Sequence, residues 1–120
     1  MFVIGKMKDS EHLEAAGEFF EVAASAKTSP VRAQNYFYAC INYIEYVLAK
    51  SADEHSFSHE DRNSRMMIAK ASFDNADVRA YDELITLRNL SGYRGRNGHT
   101  VEEIRKIAQR FREKALKLVA

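Results

Sequence analysis

The residues best suited to chemistry lie in the stretch 84–99, LITLRNLSGYRGRNGH. It holds Arg88, Asn89, Tyr93, Arg94, Arg96 and His99, separated by Gly92, Gly95 and Gly98. Arginine grips phosphate oxygens with parallel N–H donors and offsets negative charge that develops in a transition state. Histidine moves protons near neutral pH. Cleaving RNA without a metal calls for such groups: a base for the 2′-hydroxyl, an acid for the leaving oxygen and a cation for the phosphate. Arg88 stands out. Tyr81, Leu84 and Ile85 recur at helical spacing, and the next position on their stripe is Arg88. A guanidinium on a buried stripe needs a partner or a wet cleft, because an unpaired buried charge is costly. The plainer alternative is a helix end whose arginine snorkels to water.

The rest of the chain reads as helices that position this stretch. After a short arm over 1–8, residues 9–27 form a first helix with Leu13, Ala16, Phe20 and Ala23 on one stripe, widened by Phe19 and Val22. Ser29-Pro30 starts a second helix, serine at the N-cap and proline in the first turn. It runs to about Ser51 and is apolar or aromatic nearly all round, which makes it central. Its tyrosines suit a core, with surplus apolar surface available to a second subunit. Ser58 with Asp61 is a cap for a third helix, whose apolar patch is Met66, Met67 and Ile68, with Phe73 beyond. Asp74 or Asn75 starts the fourth helix, which ends near Gly92. Thr100-Val101-Glu102-Glu103 caps a fifth, and Val101, Ile104, Ala108, Phe111, Ala115 and Leu118 alternate steps of three and four along its seam. The expectation is an all-α chain, a four- to five-helix up-and-down bundle forming one domain over 1–120.

Composition bounds the function. The chain is 46% apolar and 29% charged, as globular domains are, so wholesale disorder is excluded. Cys40 is its single cysteine, which rules out an internal disulfide or thiolate cluster and suits a reducing, cytoplasmic setting. The opening apolar run is too short for a signal peptide or membrane span. Net charge is +1, but residues from Arg88 onward carry nine bases against three acids, and residues 1–63 ten acids against six bases. Such asymmetry suits either an anion-binding face or a solvated helix surface. The chain has no Gly-Lys-Ser/Thr phosphate loop, dinucleotide fingerprint or nucleophile elbow. His55 and His59 are four apart with a cap between them, which does not suit a metal pair, so no metal or cofactor is expected.

Four segments carry a resemblance to a known family. They are Arg32–Tyr46 with its aromatic-alanine centre, Ser58-His59-Glu60-Asp61-Arg62-Asn63, Tyr81–Leu84 leading into Leu87-Arg88-Asn89, and the final amphipathic helix. Over nearly its whole length the chain resembles the HEPN family of small helical bundles. Many members resemble metal-independent endoribonucleases of toxin or defence systems. They place an arginine, a polar residue and a later histidine at a homodimer interface. Others look like non-catalytic partners of small nucleotidyltransferases. The resemblance implies a homodimer that binds RNA or a nucleotide, with Arg88 and Asn89 at the phosphate. Tyr93 stands where a histidine is expected after four intervening residues, and its hydroxyl is a poor base at neutral pH. Two alternatives remain open. Arg94 to His99 repeats the arginine–histidine spacing, or Arg88 is completed by His99 or Tyr93. Arg94 and Arg96 would then hold flanking phosphates, with His59 and Arg62 approaching from the neighbouring helix.

Overall fold

In a computed structural model the chain is described over residues 9–52, 58–70, 72–94 and 98–119, with backbone alone at 52, 89–94 and 98–99. The described residues form five helices and no strand: α1 (Asp9–Ser25), α2 (Ser29–Ala52), α3 (His59–Ile68), α4 (Asn75–Arg94) and α5 (Gly98–Leu116). None of them is long and apolar enough to cross a membrane.

α2 is the central element, packed against α1, α4 and α5, while α3 packs on α4. This follows from its sequence. Ala33, Phe37, Cys40, Ile44, Val47 and Leu48 are buried, and so are Tyr36, Tyr43 and Tyr46 on the neighbouring line. Three of its four tyrosines are thus consumed by the chain's own core, leaving only the half-buried Tyr38 toward the surface. On α5 the seam Val101, Ile104, Ala108, Phe111 and Ala115 is buried, whereas Leu118 lies beyond the helix and is exposed. Val22, expected to widen the apolar stripe of α1, is also exposed.

The helix starts are set by local chemistry. Ser58 accepts a hydrogen bond from the Asp61 amide at 3.0 Å, the cap expected for α3. Before α4, Asp74 and Asp77 cap reciprocally: Asp74 Oδ1 accepts from the Asp77 amide at 2.8 Å, and Asp77 Oδ2 from the Asp74 amide at 3.0 Å. Two boundaries differ from expectation. α4 runs through Gly92 to Arg94, and α5 begins at Gly98 rather than at a Thr100 cap. Both lie in a glycine-rich connection, where propensity sets helix ends poorly.

Asp77 also joins the elements. Its carboxylate is buried, accepting from Arg110 Nε at 2.7 Å and lying 3.0 Å from Lys114 Nζ. Burial by itself would push its pKa up. The Arg110 hydrogen bond, the Asp74 amide and Lys114 outweigh it and hold the carboxyl below its ordinary value. Four of the five basic residues of α5 are paired with carboxylates. Arg105 pairs with Glu102, Lys106 lies 4.0 Å from Glu103, and Arg110 and Lys114 hold Asp77. Arg112 lies over the Phe20 ring at 5.2 Å. Four of the nine bases from Arg88 onward are therefore held in ion pairs.

Cys40 sits at 0% exposure in the centre of α2. Burial pushes its thiol far above the ordinary range, against a smaller opposing pull from Arg62. Since only the thiolate is nucleophilic, the native protein should not react with Ellman's reagent at pH 8. Labelling should appear only in denaturant, in step with loss of helical circular dichroism. Rapid stoichiometric labelling without denaturant would contradict this core.

Candidate functional site

The first turn of α3 lies against the middles of α2 and α4, and there the chain gathers His59, Arg62, Glu45, Phe37, Tyr81 and Arg88. Arg62 is the hub. It is buried, its Nε donates to Glu45 Oε2 at 3.2 Å, and Glu45 is buried too. Its Nη1 donates to Tyr81 Oη at 3.0 Å and lies 3.0 Å from His59 Nδ1. The Tyr81 hydroxyl is 3.2 Å from the same Nδ1 and 3.4 Å from the His59 carbonyl. Burial raises the Tyr81 pKa, with Arg62 opposing, so the phenol stays protonated.

This network fixes the state of His59. Arginine is protonated at all working pH values and carries donors only. A ring nitrogen facing one must therefore present its lone pair, so the neutral imidazole carries its proton on Nε2. No described residue accepts from that N–H. The pKa of His59 is lowered, first by desolvation and then by the charges of Arg62 and Arg88. At neutral pH His59 is thus an uncharged hydrogen-bond donor at an exposed position, with its basic nitrogen already engaged.

Arg88 resolves the oddity of its stripe in an unexpected way. It is half-buried, and no carboxylate among the described residues pairs with it. Its guanidinium lies over the Phe37 ring at 4.8 Å from the centroid. The same ring meets His59 edge-on, with centroids 5.6 Å apart at 74°. Phe37 therefore touches both a cation and a neutral donor. A cation on an aromatic face keeps its in-plane N–H donors available, as an anion site requires.

Of the residues expected at the site, the structure brings together Arg88, His59 and Arg62. Arg62 is turned inward, so it acts through His59 and Tyr81 rather than as a surface phosphate contact. Asn89, Tyr93 and Arg94 lie on the last turns of α4 and His99 on the first turn of α5, but their side chains are outside the described residues. Arg96 and His55 fall wholly outside them. Glu45, Phe37 and Tyr81 were not singled out by the sequence as site residues. Glu45 carried a signal in hindsight, as the one acid in the apolar run from Ala39 to Ala49. Among the described residues no group of three His, Cys, Asp or Glu is placed to hold a metal.

No family model, curated protein or solved structure matches the chain.

Proposed function

We propose that the chain is a HEPN-type, nucleic-acid-associated protein that holds an RNA phosphodiester at Arg88 and His59 and acts as a homodimer. The observation that carries this reading is Arg88, a half-buried arginine with no carboxylate partner among the described residues, stacked on Phe37, the ring that also meets the neutral His59 imidazole. In it, Arg88 supplies charge and paired donors to the phosphate, and His59 Nε2–H supplies a further donor. Glu45, Arg62 and Tyr81 are positioning residues that fix the imidazole. Metal-independent cleavage of RNA then requires a proton acceptor for the 2′-hydroxyl. His59 is poorly suited to that role because Arg62 occupies its lone pair. His99 or Tyr93 remains the candidate, with Asn89 orienting the phosphate and Arg94 and Arg96 holding its neighbours.

The donor state of His59 also favours a second reading, a non-catalytic RNA- or nucleotide-binding module that partners a nucleotidyltransferase. One set of variants separates the roles. Glutamine places an N–H near the position of Nε2–H but is no base. Binding to a single-stranded RNA oligonucleotide should survive His59→Gln within about threefold and weaken about tenfold in His59→Ala, a hydrogen bond to a charged group contributing roughly 1.5–3 kcal/mol. The ¹⁵N shifts of His59 at pH 7 should report the Nε2–H tautomer. Cleavage in EDTA that survives in His59→Gln and is lost in His59→Ala and His99→Ala supports the catalytic reading. Binding without cleavage supports the module. An Nδ1–H tautomer, or RNA affinity indifferent to both His59 variants, would remove this site from either.

A further inference from the structure

The other end of the α3–α4 pair carries a surface that the phosphate site does not use. Met67 and Ile68, expected to lie in the apolar patch, are instead exposed at 56% and 77%. Ile68 is the most exposed large hydrophobic side chain among the described residues. Beside them opens a cavity of about 280 Å³ lined by Met67, Lys70, Phe73, Asn75, Val78 and Arg79. Its apolar wall is Phe73, Val78 and Met67, and two cations stand at its rim.

Those cations give the rim of the cavity a positive charge. Lys70 and Arg79 pair with no carboxylate among the described residues. Arg65, on the same helix as Met67 and Ile68, does pair, with Asp61 at 2.9 Å. Asp82, three residues beyond Arg79, accepts from Asn63 at 2.6 Å. Asp74, the nearest acid in sequence to Asn75, faces Arg110 on α5. An apolar pocket beside two uncompensated cations selects an occupant that is apolar at one point and acidic around it. The cavity is smaller than the roughly 300–1,000 Å³ typical of small-molecule sites, and an exposed isoleucine and methionine extend its apolar surface outward. Both features suit one anchoring side chain with flanking contacts rather than an enclosed metabolite. Methionine at the wall adapts to the anchor's shape.

We propose that the Met67–Arg79 surface docks an acidic segment of another protein, one large apolar side chain entering the cavity and flanking carboxylates meeting Lys70 and Arg79. The site is separate from the Arg88 site and does not depend on how that site functions. The test titrates the ¹⁵N-labelled full chain with a synthetic peptide of about a dozen residues, aspartates and glutamates around a central Leu-Phe. Saturable shifts are expected at the amides of Met67, Phe73, Val78 and Arg79. Affinity should fall at least tenfold when the central Leu-Phe is replaced by Ser-Ser. It should fall as much in Arg79→Glu and in Ile68→Asp, two exposed positions on different helices whose variants keep the parent circular dichroism. Four results would overturn the proposal: no shifts at these amides, shifts only around His59 and Arg88, affinity unchanged in both variants, or displacement of the peptide by single-stranded RNA at these same amides. Self-association of the chain that disappears in Arg79→Glu overturns it as well, because a second copy would then be the occupant.

Discussion

Arg88→Ala is expected to slow RNA cleavage by about 10²- to 10³-fold, the usual cost of removing one preorganised donor to a developing oxyanion. Where the protein binds without cleaving, the same variant should weaken RNA binding by about 10- to 100-fold, as for loss of a charge-assisted hydrogen bond. The fold should tolerate the change. Arg88 gives up one contact with Phe37, and a partly exposed cation–π pair contributes only about 0.5–1 kcal/mol. Arg88→Lys keeps the charge but loses the planar fork, so it should recover binding only in part. A second readout is independent of RNA. Arg88 is one of the charges that lower the His59 pKa, so NMR titration should find that pKa higher in Arg88→Ala, nearer its ordinary 6.5, and still low in Arg88→Lys. A folded Arg88→Ala protein that binds and cleaves RNA like its parent would remove Arg88 from the site. An unmoved His59 pKa would show that the two side chains do not share one electrostatic environment.

The sequence made Arg88 visible because periodicity reports which face of a helix a residue occupies, and a charge on the buried face breaks the pattern. It located the Ser58 cap and the start of α4 for a similar reason, since caps are written in residues adjacent in the chain. What it could not report is which helix comes to rest against which. Glu45 and Arg62 lie 17 positions apart, and Asp77 and Arg110 33 apart. On their own helices each is merely a charge among apolar or polar neighbours. Their meaning appears only when α3 is laid against α2 and α5 against α4. Phe37 was hidden differently. In a helix with so many aromatic residues, nothing local marks the ring that meets both His59 and Arg88. The same blindness runs in the other direction. Met66 and Met67 are indistinguishable in composition, yet one is fully buried and the other more than half exposed, because α3 is short and only one side of it meets the bundle.

Glu45→Ala is expected to be the most damaging single substitution in the site, costing about 3–5 kcal/mol of stability. The reason is the residue left behind. Arg62 is buried, its Nε is held by Glu45, and arginine cannot shed its charge to escape. Chemical denaturation should show the loss, and the melting temperature should fall by roughly 10 °C or more. Glu45→Gln retains an acceptor and should cost less, about 1–2 kcal/mol. The paired replacement Glu45→Leu with Arg62→Met removes both charges and should recover most of the stability lost in Glu45→Ala, as apolar replacements of buried ion pairs commonly do. That double variant also separates stability from positioning. Without Arg62 the His59 ring loses both the donor that fixes its tautomer and a charge that disfavours protonation, so its pKa should rise toward 6.5. In the parent, where the folded pKa lies below the unfolded value, the unfolded chain binds more protons between the two. Stability should therefore fall as pH drops through 6.5, by a slope proportional to that proton difference. In the double variant the two pKa values draw closer, desolvation and Arg88 still acting, and this slope should shrink. A protein that regains its stability yet keeps the parent's low His59 pKa would show that burial and Arg88, not Arg62, lower it. The expected outcome, a stable fold with a freed imidazole, would show that the core does not need the ion pair and that Arg62 holds His59 as a donor.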